Sequence, residues 1–463
     1  MARFLLIMPR LPQRLGTPYL GQLLVAASLR RAGHEVRAID LAAVHAPSDD
    51  DAQALCEAYA PDVVGMTLFT YSAARGYALA RRLAAPGRLL LAGGPHATLC
   101  PDEPTQHGFD ASVAGEGELT VLALATALDR GLPLDTIPGV RTRTGQGPPS
   151  APIQDLDALA RPHEGYAAYD MGWYGGDGRS AIPGGLMTSR GCPARCTFCA
   201  NYVTGRAYRY RSAADVVSEM VALRTHHGIR SFPFWDDAFT ALRPRLRELC
   251  EAIVGEPALR DITWTCITPG NMVKPHDLEM MRAAGCVAVN FGIESGDPTT
   301  LKLMQKGQRP EHVVAAVRSA KAVGMTTIVN FMFGFPNEGL AELGTTMALM
   351  EDLAPSTDFF NTRGVLVPFP GTAIYDQWAD HYGFRQWWLD LERVPLEPDG
   401  LDPLELARAQ EVDPTLALDF FRYSPEVRDL IARCVRFKAR HNHATLSRMG
   451  AAPAGESHDR PAA

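Results

Sequence analysis

Between residues 1 and 145, short apolar runs alternate with amphipathic stretches. Phe4–Met8, Val36–Ile39, Val63–Met66, Leu89–Ala92 and Ala111–Ala114 are bounded by turn residues and are too short for core helices, which predicts buried parallel strands. Between them the periodicity predicts helices near Leu20–Arg31, Asp50–Tyr59, Ala73–Leu83 and Leu119–Leu128, with Gly33 and Gly87 where helix-stopping glycines belong. Strand–helix units in this succession predict a doubly wound, flavodoxin-like α/β sheet with helices on both faces. Ligands of such sheets sit beyond the carboxyl ends of the strands. Those ends carry Pro9-Arg10, Thr67–Thr70, Gly93-Gly94-Pro95-His96 and Gly115-Glu116-Gly117-Glu118. Glycine there lets backbone approach a bulky flat ligand.

Residues 146–182 are rich in Pro, Gly, Asp and Ser, densest at Gly145–Pro152 and Gly172–Pro183, and predict a linker draped over a neighbouring domain. The alternation then resumes across residues 183–375. Strands are predicted at Gly185–Ser189, Ser231–Trp235, Ile262–Thr268, Val287–Ile293, Thr326–Phe333 and Asn361–Val367. Helices are predicted at Ala213–His227, Arg243–Val254, His276–Ala284, Pro310–Val323 and Leu340–Asp352. Repeated βα units in one domain predict a parallel barrel or partial barrel with its chemistry at the strand C-termini. Residues 376–463 read as a small, charged, helical region with Trp387-Trp388 as an isolated bulky pair and Ala451–Ala463 as a frayed tail.

The chain has 463 residues, of which 46% are hydrophobic, so it holds enough apolar material for more than one core. Its formal charge is −7, from 45 Lys and Arg against 52 Asp and Glu, which gives no global basic field toward nucleic acid or anionic lipid. No apolar stretch approaches the ~20 residues of a membrane span. The opening Met-Ala-Arg-Phe-Leu-Leu-Ile-Met-Pro lacks a small-residue cleavage site. A cytoplasmic, reducing location is therefore expected, where the nine cysteines are thiols or metal ligands. No Gly-x-Gly-x-x-Gly follows the first strand, so a dinucleotide fingerprint is absent. Gly115-Glu-Gly-Glu lacks the third glycine and reads equally well as a tight strand-to-helix turn.

Cys192, Cys196 and Cys199 lie in Thr188-Ser-Arg-Gly-Cys-Pro-Ala-Arg-Cys-Thr-Phe-Cys-Ala, directly after the first strand of the second domain. Three soft thiolates on a glycine-flanked loop suit a soft-metal site, of which an iron–sulfur cluster is the best-known occupant and zinc the competitor. A closed zinc site needs a fourth ligand, and no further Cys or His lies nearby. The remaining cysteines (Cys56, Cys100, Cys250, Cys266, Cys286 and Cys434) are scattered and read as buried small hydrophobes.

This loop resembles the signature of the radical S-adenosylmethionine (radical SAM) superfamily: Cys-x3-Cys-x2-Cys after the first strand of a partial (βα)6 barrel, with an aromatic, here Phe198, before the last cysteine. The resemblance implies a 4Fe–4S cluster held by Cys192, Cys196 and Cys199, with a free iron that chelates S-adenosylmethionine (SAM). Reductive cleavage would then yield a 5′-deoxyadenosyl radical. Asp236 and Asp237 resemble the contact to the amino group of SAM, Glu294 and Ser295 the ribose contacts, and Gly334 a backbone contact to adenine. Pro368-Phe-Pro-Gly-Thr is typical of the same subgroup, whereas Pro269 stands where the family commonly has an Arg. Leu20–Asp40, Gly93-Gly94-Pro95-His96 and Gly115-Glu-Gly-Glu resemble the class with a cobalamin (B12)-binding domain. Some cobalamin proteins supply a histidine below cobalt from Asp-x-His-x-x-Gly, a motif this chain lacks, so any cobalamin is expected to bind without one. His96 reads as a turn or wall residue.

The expected activity is hydrogen abstraction from a small molecule, with cobalamin-dependent methyl transfer placed ahead of elimination by a cobalamin-independent dehydratase of the aminoglycoside (paromamine-type) diol class. A non-enzymatic iron–sulfur carrier is a weaker reading, because it needs neither a barrel nor SAM contacts. Tyr202, Tyr208 and Tyr210, just downstream of the cysteines, are candidate proton donors for elimination, or else aromatic packing. Arg206, Arg209 and Arg211 form a small basic patch that would hold an anionic group or face solvent. The resemblance implies an electron donor such as flavodoxin or ferredoxin, and no nucleic-acid or membrane partner is expected.

Overall fold

The structure is a computed structural model that describes residues 2–174, 185–201, 203–361, 365–394, 396 and 418–450. Its first sheet is built from β1 (Arg3–Met8), β2 (Glu35–Asp40), β3 (Val63–Thr67), β4 (Leu89–Gly93), β5 (Ala111–Val113) and β6 (Val140–Thr142), in the order β2-β1-β3-β4-β5-β6. The first five strands are parallel, and β6 runs antiparallel along β5 at the edge. The predicted doubly wound sheet is present; the antiparallel edge strand escaped the sequence reading, because Val140 is the one apolar residue in Val140–Thr142 and makes no apolar run. Helices α1 (Leu20–Arg31), α2 (Asp49–Tyr59), α3 (Ala73–Leu83), α4 (Pro95–Leu99), α5 (Glu103–Gln106) and α6 (Gly117–Arg130) connect the strands. Helix α2 starts where Ser48 and Asp51 cap each other's backbone N–H groups at 3.1 and 3.0 Å.

The segment after β6 lies tightly along α1. A Cβ at Gly165 would stand 2.5 Å from the carbonyl oxygen of Leu23, so only glycine allows this approach. Tyr169 donates to Gln22 at 2.8 Å and Tyr174 to Asp40 at 2.6 Å, pinning the connection to the first domain. Residues 175–184, which hold most of the second predicted loop stretch, lie outside the described residues.

In the second domain, β7 (Ser189–Arg190) pairs antiparallel with β8 (Arg209–Tyr210). Next come β9 (Ser231–Phe234), β10 (Thr263–Pro269), β11 (Cys286–Glu294), β12 (Thr326–Phe331) and β13 (Phe359–Phe360), a parallel sheet in the order β13-β12-β11-β10-β9. Helices α7 (Ala213–His227), α8 (Arg243–Gly255), α9 (Pro275–Ala283), α10 (Pro298–Leu303), α11 (Pro310–Ala322) and α12 (Leu340–Leu353) alternate with these strands. Strand residues of one face, among them Phe232, Trp264, Phe291 and Val329, are fully buried in the core beneath the helices. The opposite face lines the open side of a partial barrel, as predicted.

Two predicted strands differ. The run Gly185–Ser189 yields only a Leu186–Phe234 bridge and the short β7. The cause is a carboxylate: Asp236 accepts from the N–H groups of Thr188 and Ser189 at 2.6 and 3.0 Å, taking bonds a neighbouring strand would otherwise receive. The run Asn361–Val367 is preceded by the observed β13, and Val365 makes a single bridge to Phe333; residues 362–364 lie outside the described residues.

After the barrel come α13 (Ala373–Tyr382), a short 3₁₀ turn at Trp387–Leu389, and α14 (Pro425–Gly450). Asn442 of α14 accepts from the N–H of Phe360 and donates to its carbonyl, both at 2.8 Å. A side-chain amide thus closes the open edge of the barrel sheet. Trp387 and Trp388 are not isolated: both are buried, at 3% and 2% exposure, against the first domain. The predicted tail Ala451–Ala463 lies outside the described residues.

Candidate functional site

The cysteine loop leaves β7 at its carboxyl end and is anchored at both feet. Gly191 has φ +88°, and a Cβ there would meet the carbonyl oxygen of Ala207 at 2.3 Å. The N–H of Cys192 donates to Gly205 at 3.2 Å, and that of Thr197 to Met304 at 2.9 Å. Cys192 and Cys196 are half-buried and Cys199 is exposed. Among the described residues, the one trio of His, Cys, Asp or Glu donors drawn within 4.8 Å of one another is His96, Cys100 and Glu103, so the three loop sulfurs are spread more widely. Three thiols on one anchored loop supply one ligand to each of three irons of an iron–sulfur cube, whereas a closed structural zinc site takes four ligands.

Glu294, at the end of β11, has φ +74°, a left-handed conformation that a non-glycine residue adopts at a cost and that concentrates at ligand sites. Its carboxylate accepts from Lys306 at 2.8 Å, and both side chains stand over Gly292, where a Cβ would meet Glu294 Oε1 at 2.6 Å and Lys306 Nζ at 3.0 Å. Burial pulls the Lys306 ammonium down, but Glu294 and Cys196 outweigh it, and its pKa lies above the ordinary value. The ammonium also lies 5.9 Å from the ring centroid of Phe198. Lys306 was not singled out from the sequence; no spacing ties it to the cysteines, and only the return of the chain after α10 does so.

The two aspartates divide their tasks. Asp236 is buried and bonded to Thr188 and Ser189, with Arg245 at 4.0 Å; burial pushes its carboxyl up against those partners. Asp237 accepts from Thr204 at 2.8 Å and from the N–H of Gly191 at 3.3 Å, so it joins both feet of the cysteine loop. Asp237 is the member of the pair that faces the cysteines; Asp236 faces away from the loop.

Ser295 is buried and touches Thr346 at 3.1 Å. Glu338, next to it, accepts from the N–H of Phe335 at 2.9 Å, and burial pushes its carboxyl up to about 7. Gly334 has φ +77°, and its carbonyl accepts from the Tyr423 hydroxyl at 2.6 Å, which brings the C-terminal region onto the predicted adenine position. Tyr208 turns inward, reaching the carbonyl of Phe239 at 3.4 Å, while Tyr210 is exposed and tilts against Tyr208 with centroids 6.0 Å apart. Tyr202 lies outside the described residues. Of the basic patch, Arg209 and Arg211 are buried in ion pairs and only Arg206 faces solvent.

In the first domain His96 is fully buried, with Thr70 at 3.3 Å, Tyr77 at 3.1 Å and Glu103 at 3.2 Å. Both ring nitrogens are occupied by protein partners, so His96 is a wall residue. Gly93, at the end of β4, has no atom within 4 Å of where its Cβ would stand, leaving bare backbone at the carboxyl edge of the sheet. Such a surface suits a flat macrocycle such as a corrin.

The sequence matches the radical SAM superfamily over residues 186–350 and the B12-binding domain over residues 15–125. An uncharacterized methyltransferase of Pyrococcus horikoshii is 32% identical over 372 residues, covering 78% of this chain and 77% of that protein. The cytidylyl-2-hydroxyethylphosphonate methyltransferase of Streptomyces wedmorensis is 29% identical, covering 77% and 74%. The solved structure of the radical SAM methyltransferase TsrM from Kitasatospora setae, with its tryptophan substrate and a SAM analogue, superposes with a TM-score of 0.67 at 22% identity, covering 83% of this chain and 77% of that one. That likeness shows a shared fold across both domains.

Proposed function

The chain belongs to the radical SAM superfamily, in the class that carries a B12-binding domain, and from that premise we propose that it is a cobalamin-dependent methyltransferase acting on a small molecule. When bound, the cluster supplies the electron that cleaves SAM, and cobalamin supplies a carrier for the methyl group. One observation carries the reading. The turn after β5 meets the end of β7, two residues before Cys192, through Glu116, Glu118 and Arg190, so the carboxyl edge of the first sheet lies beside the cysteine loop. A carrier held at that edge would therefore stand near the cluster. The elimination alternative gains no support from the methyltransferases named above.

The side chains have distinct tasks in this reading. Cys192, Cys196 and Cys199 would hold three irons. Asp237 would accept from the SAM amino group while tying down the loop. Glu294 and Ser295 would orient the ribose, the backbone at Gly334 would meet adenine, and Phe198 would cover the cluster. Burial pushes the Cys196 thiol up, and the positive charge of Lys306 beside it offsets part of that rise. Asp236 acts indirectly, by holding Thr188 and Ser189 in place. Tyr210 is the open one of the two tyrosines and the candidate to exchange a proton with substrate. We further propose a cytoplasmic protein reduced by a flavodoxin- or ferredoxin-type donor; among the described residues no helix is long and apolar enough to cross a membrane.

The test is anaerobic reconstitution of the cluster with and without cobalamin, followed by analysis of SAM-derived products. 5′-Deoxyadenosine together with S-adenosylhomocysteine is the expected pair. 5′-Deoxyadenosine alone, in a yield indifferent to cobalamin, would eliminate methyl transfer.

A further inference from the structure

Glu116 and Glu118 flank Gly117 at the turn where β5 passes into α6, and both reach out of the first domain. Arg190 ends β7, one residue before the loop glycine and two before Cys192. Arg209 lies directly opposite Arg190 in the β7–β8 ladder. The four side chains form one network. Arg190 contacts Glu116 at 3.1 Å and is paired with Glu118. Arg209 holds both oxygens of Glu116, each at 2.9 Å. All four are shielded from water, with exposures of 7% for Glu116, 4% for Glu118, 5% for Arg190 and 6% for Arg209. Burial raises the Glu116 carboxyl, but Arg209 and Arg190 hold it below the usual carboxylate range.

Domain docking alone does not require such a set, since apolar side chains of similar volume join domains at least as well. What paired guanidinium forks add is a fixed direction. Here that direction is imposed on both feet of the cysteine loop. Arg190 controls the foot entering Cys192. Arg209 donates to the carbonyl of Thr204 at 2.7 Å, and the Thr204 hydroxyl donates to Asp237 at 2.8 Å, controlling the foot that leaves Cys199. The N–H of Ile153 also donates to Glu116, at 2.6 Å, so the connecting segment is tied into the same point.

We infer that Glu116 and Glu118 are positioning residues for the metal loop: the first domain fixes, across the domain boundary, the setting of Cys192, Cys196 and Cys199. The inference rests on the cluster reading above. It gives the Gly-Glu-Gly-Glu turn a task separate from binding any ligand of its own sheet. It also makes the electronic signature of the cluster sensitive to residues that never touch it.

The experiment uses the full chain, anaerobically reconstituted, as parent and as Glu118→Gln, Arg209→Lys and Asp215→Asn. Asp215 pairs with Arg161 and Arg211 behind β8, so its variant breaks a comparable ion pair away from the loop. Iron content, the electron paramagnetic resonance spectrum of the reduced cluster with and without SAM, the thermal midpoint and 5′-deoxyadenosine formation are measured for each. Glu118→Gln is expected to retain iron, to alter the spectral change induced by SAM, and to slow 5′-deoxyadenosine formation by about 10–100-fold. Arg209→Lys keeps its charge but loses the fork, and should move the same spectrum in the same direction by less. Asp215→Asn should lower the thermal midpoint and leave the spectrum as in the parent. Parent-like spectra in Glu118→Gln and Arg209→Lys, or equal spectral changes in Asp215→Asn, would overturn the inference. A parent chain that binds no iron overturns the cluster reading itself, and is seen before any variant is compared.

Discussion

The indole Nε1 of Trp388 donates a 2.8 Å hydrogen bond to the carboxylate of Glu103, across 285 residues of chain. The same carboxylate oxygen receives the Tyr77 hydroxyl at 2.8 Å and lies 3.2 Å from His96. One acid of the first domain is thus the anchor for the region that follows the barrel. Burial raises the Glu103 carboxyl, but His96, Trp388 and Tyr77 more than offset this and leave it below its ordinary range. Replacing Trp388 by Phe removes one donor from a buried carboxylate and leaves space beside His96. The expected cost is about 1–3 kcal/mol, read from denaturant unfolding of the reconstituted protein. An unchanged midpoint would mean that the bond contributes nothing to docking.

Asp236 and Asp237 should respond differently to the same substitution. Asp236→Ala leaves the N–H groups of Thr188 and Ser189 without their buried acceptor and the Arg245 guanidinium, 4.0 Å away, without its countercharge, and should destabilise the fold by about 3–5 kcal/mol. Asp237→Asn keeps the hydrogen-bonding shape of the loop feet but removes a charge facing the cysteines. It should weaken SAM binding, measured by equilibrium dialysis, with little change in unfolding. The assignment fails if Asp236→Asn folds normally and loses SAM affinity to the same extent.

Cys196→Ala removes the middle thiol of the loop. The expected outcome is loss of the visible iron–sulfur absorption and of 5′-deoxyadenosine formation, while the far-ultraviolet circular dichroism of both sheets persists. Retention of full iron and activity in this variant is incompatible with ligation by the loop.

Glu338 predicts a pH dependence of stability. Its carboxyl ionises near 4.5 when unfolded, but burial raises it to about 7 in the fold, against the hydrogen bonds from Phe335 and Ser295 that pull it down. Below 4.5 both states are protonated and the group contributes no difference. Between 4.5 and about 7 the folded state holds a proton that the unfolded state has lost, so its contribution to stability falls as pH rises. Above that window the penalty is constant, about 3 kcal/mol. Glu338→Gln should be more stable than the parent at pH 8 and show a flatter profile of thermal midpoint between pH 5 and 7. Parallel profiles for the two proteins would show that Glu338 ionises normally.

Most elements were legible in the sequence, for a simple reason. Helix α3 falls on its predicted residues because it carries an apolar face between turn residues, and α7 because Ser212 caps its start and the left-handed Gly228 stops it. The cysteine loop was legible because its chemistry is concentrated in eight consecutive residues, Cys192–Cys199. The first barrel strand was not, because what shortens it is a side chain 48 residues away, Asp236, bonding to Thr188. Lys306 and Tyr423 were missed for the same reason: neither has a local pattern, and each reaches the site only through the path of the chain.

What the amino-acid order determined by itself was set by near neighbours: the alternation that makes two parallel sheets, the glycine at residue 33 that follows α1, and three thiols on one loop. What only the folded chain decided was which charges meet. Arg209 reads as part of a basic patch and Arg190 has no reading of its own, yet both are buried on Glu116 and Glu118 of the other domain; Trp387 and Trp388 read as an isolated pair, yet they wedge that domain against the barrel. Ion pairs and aromatic contacts act over a few ångströms in space and carry no period along the sequence, so their partners become visible only when the two domains are in place.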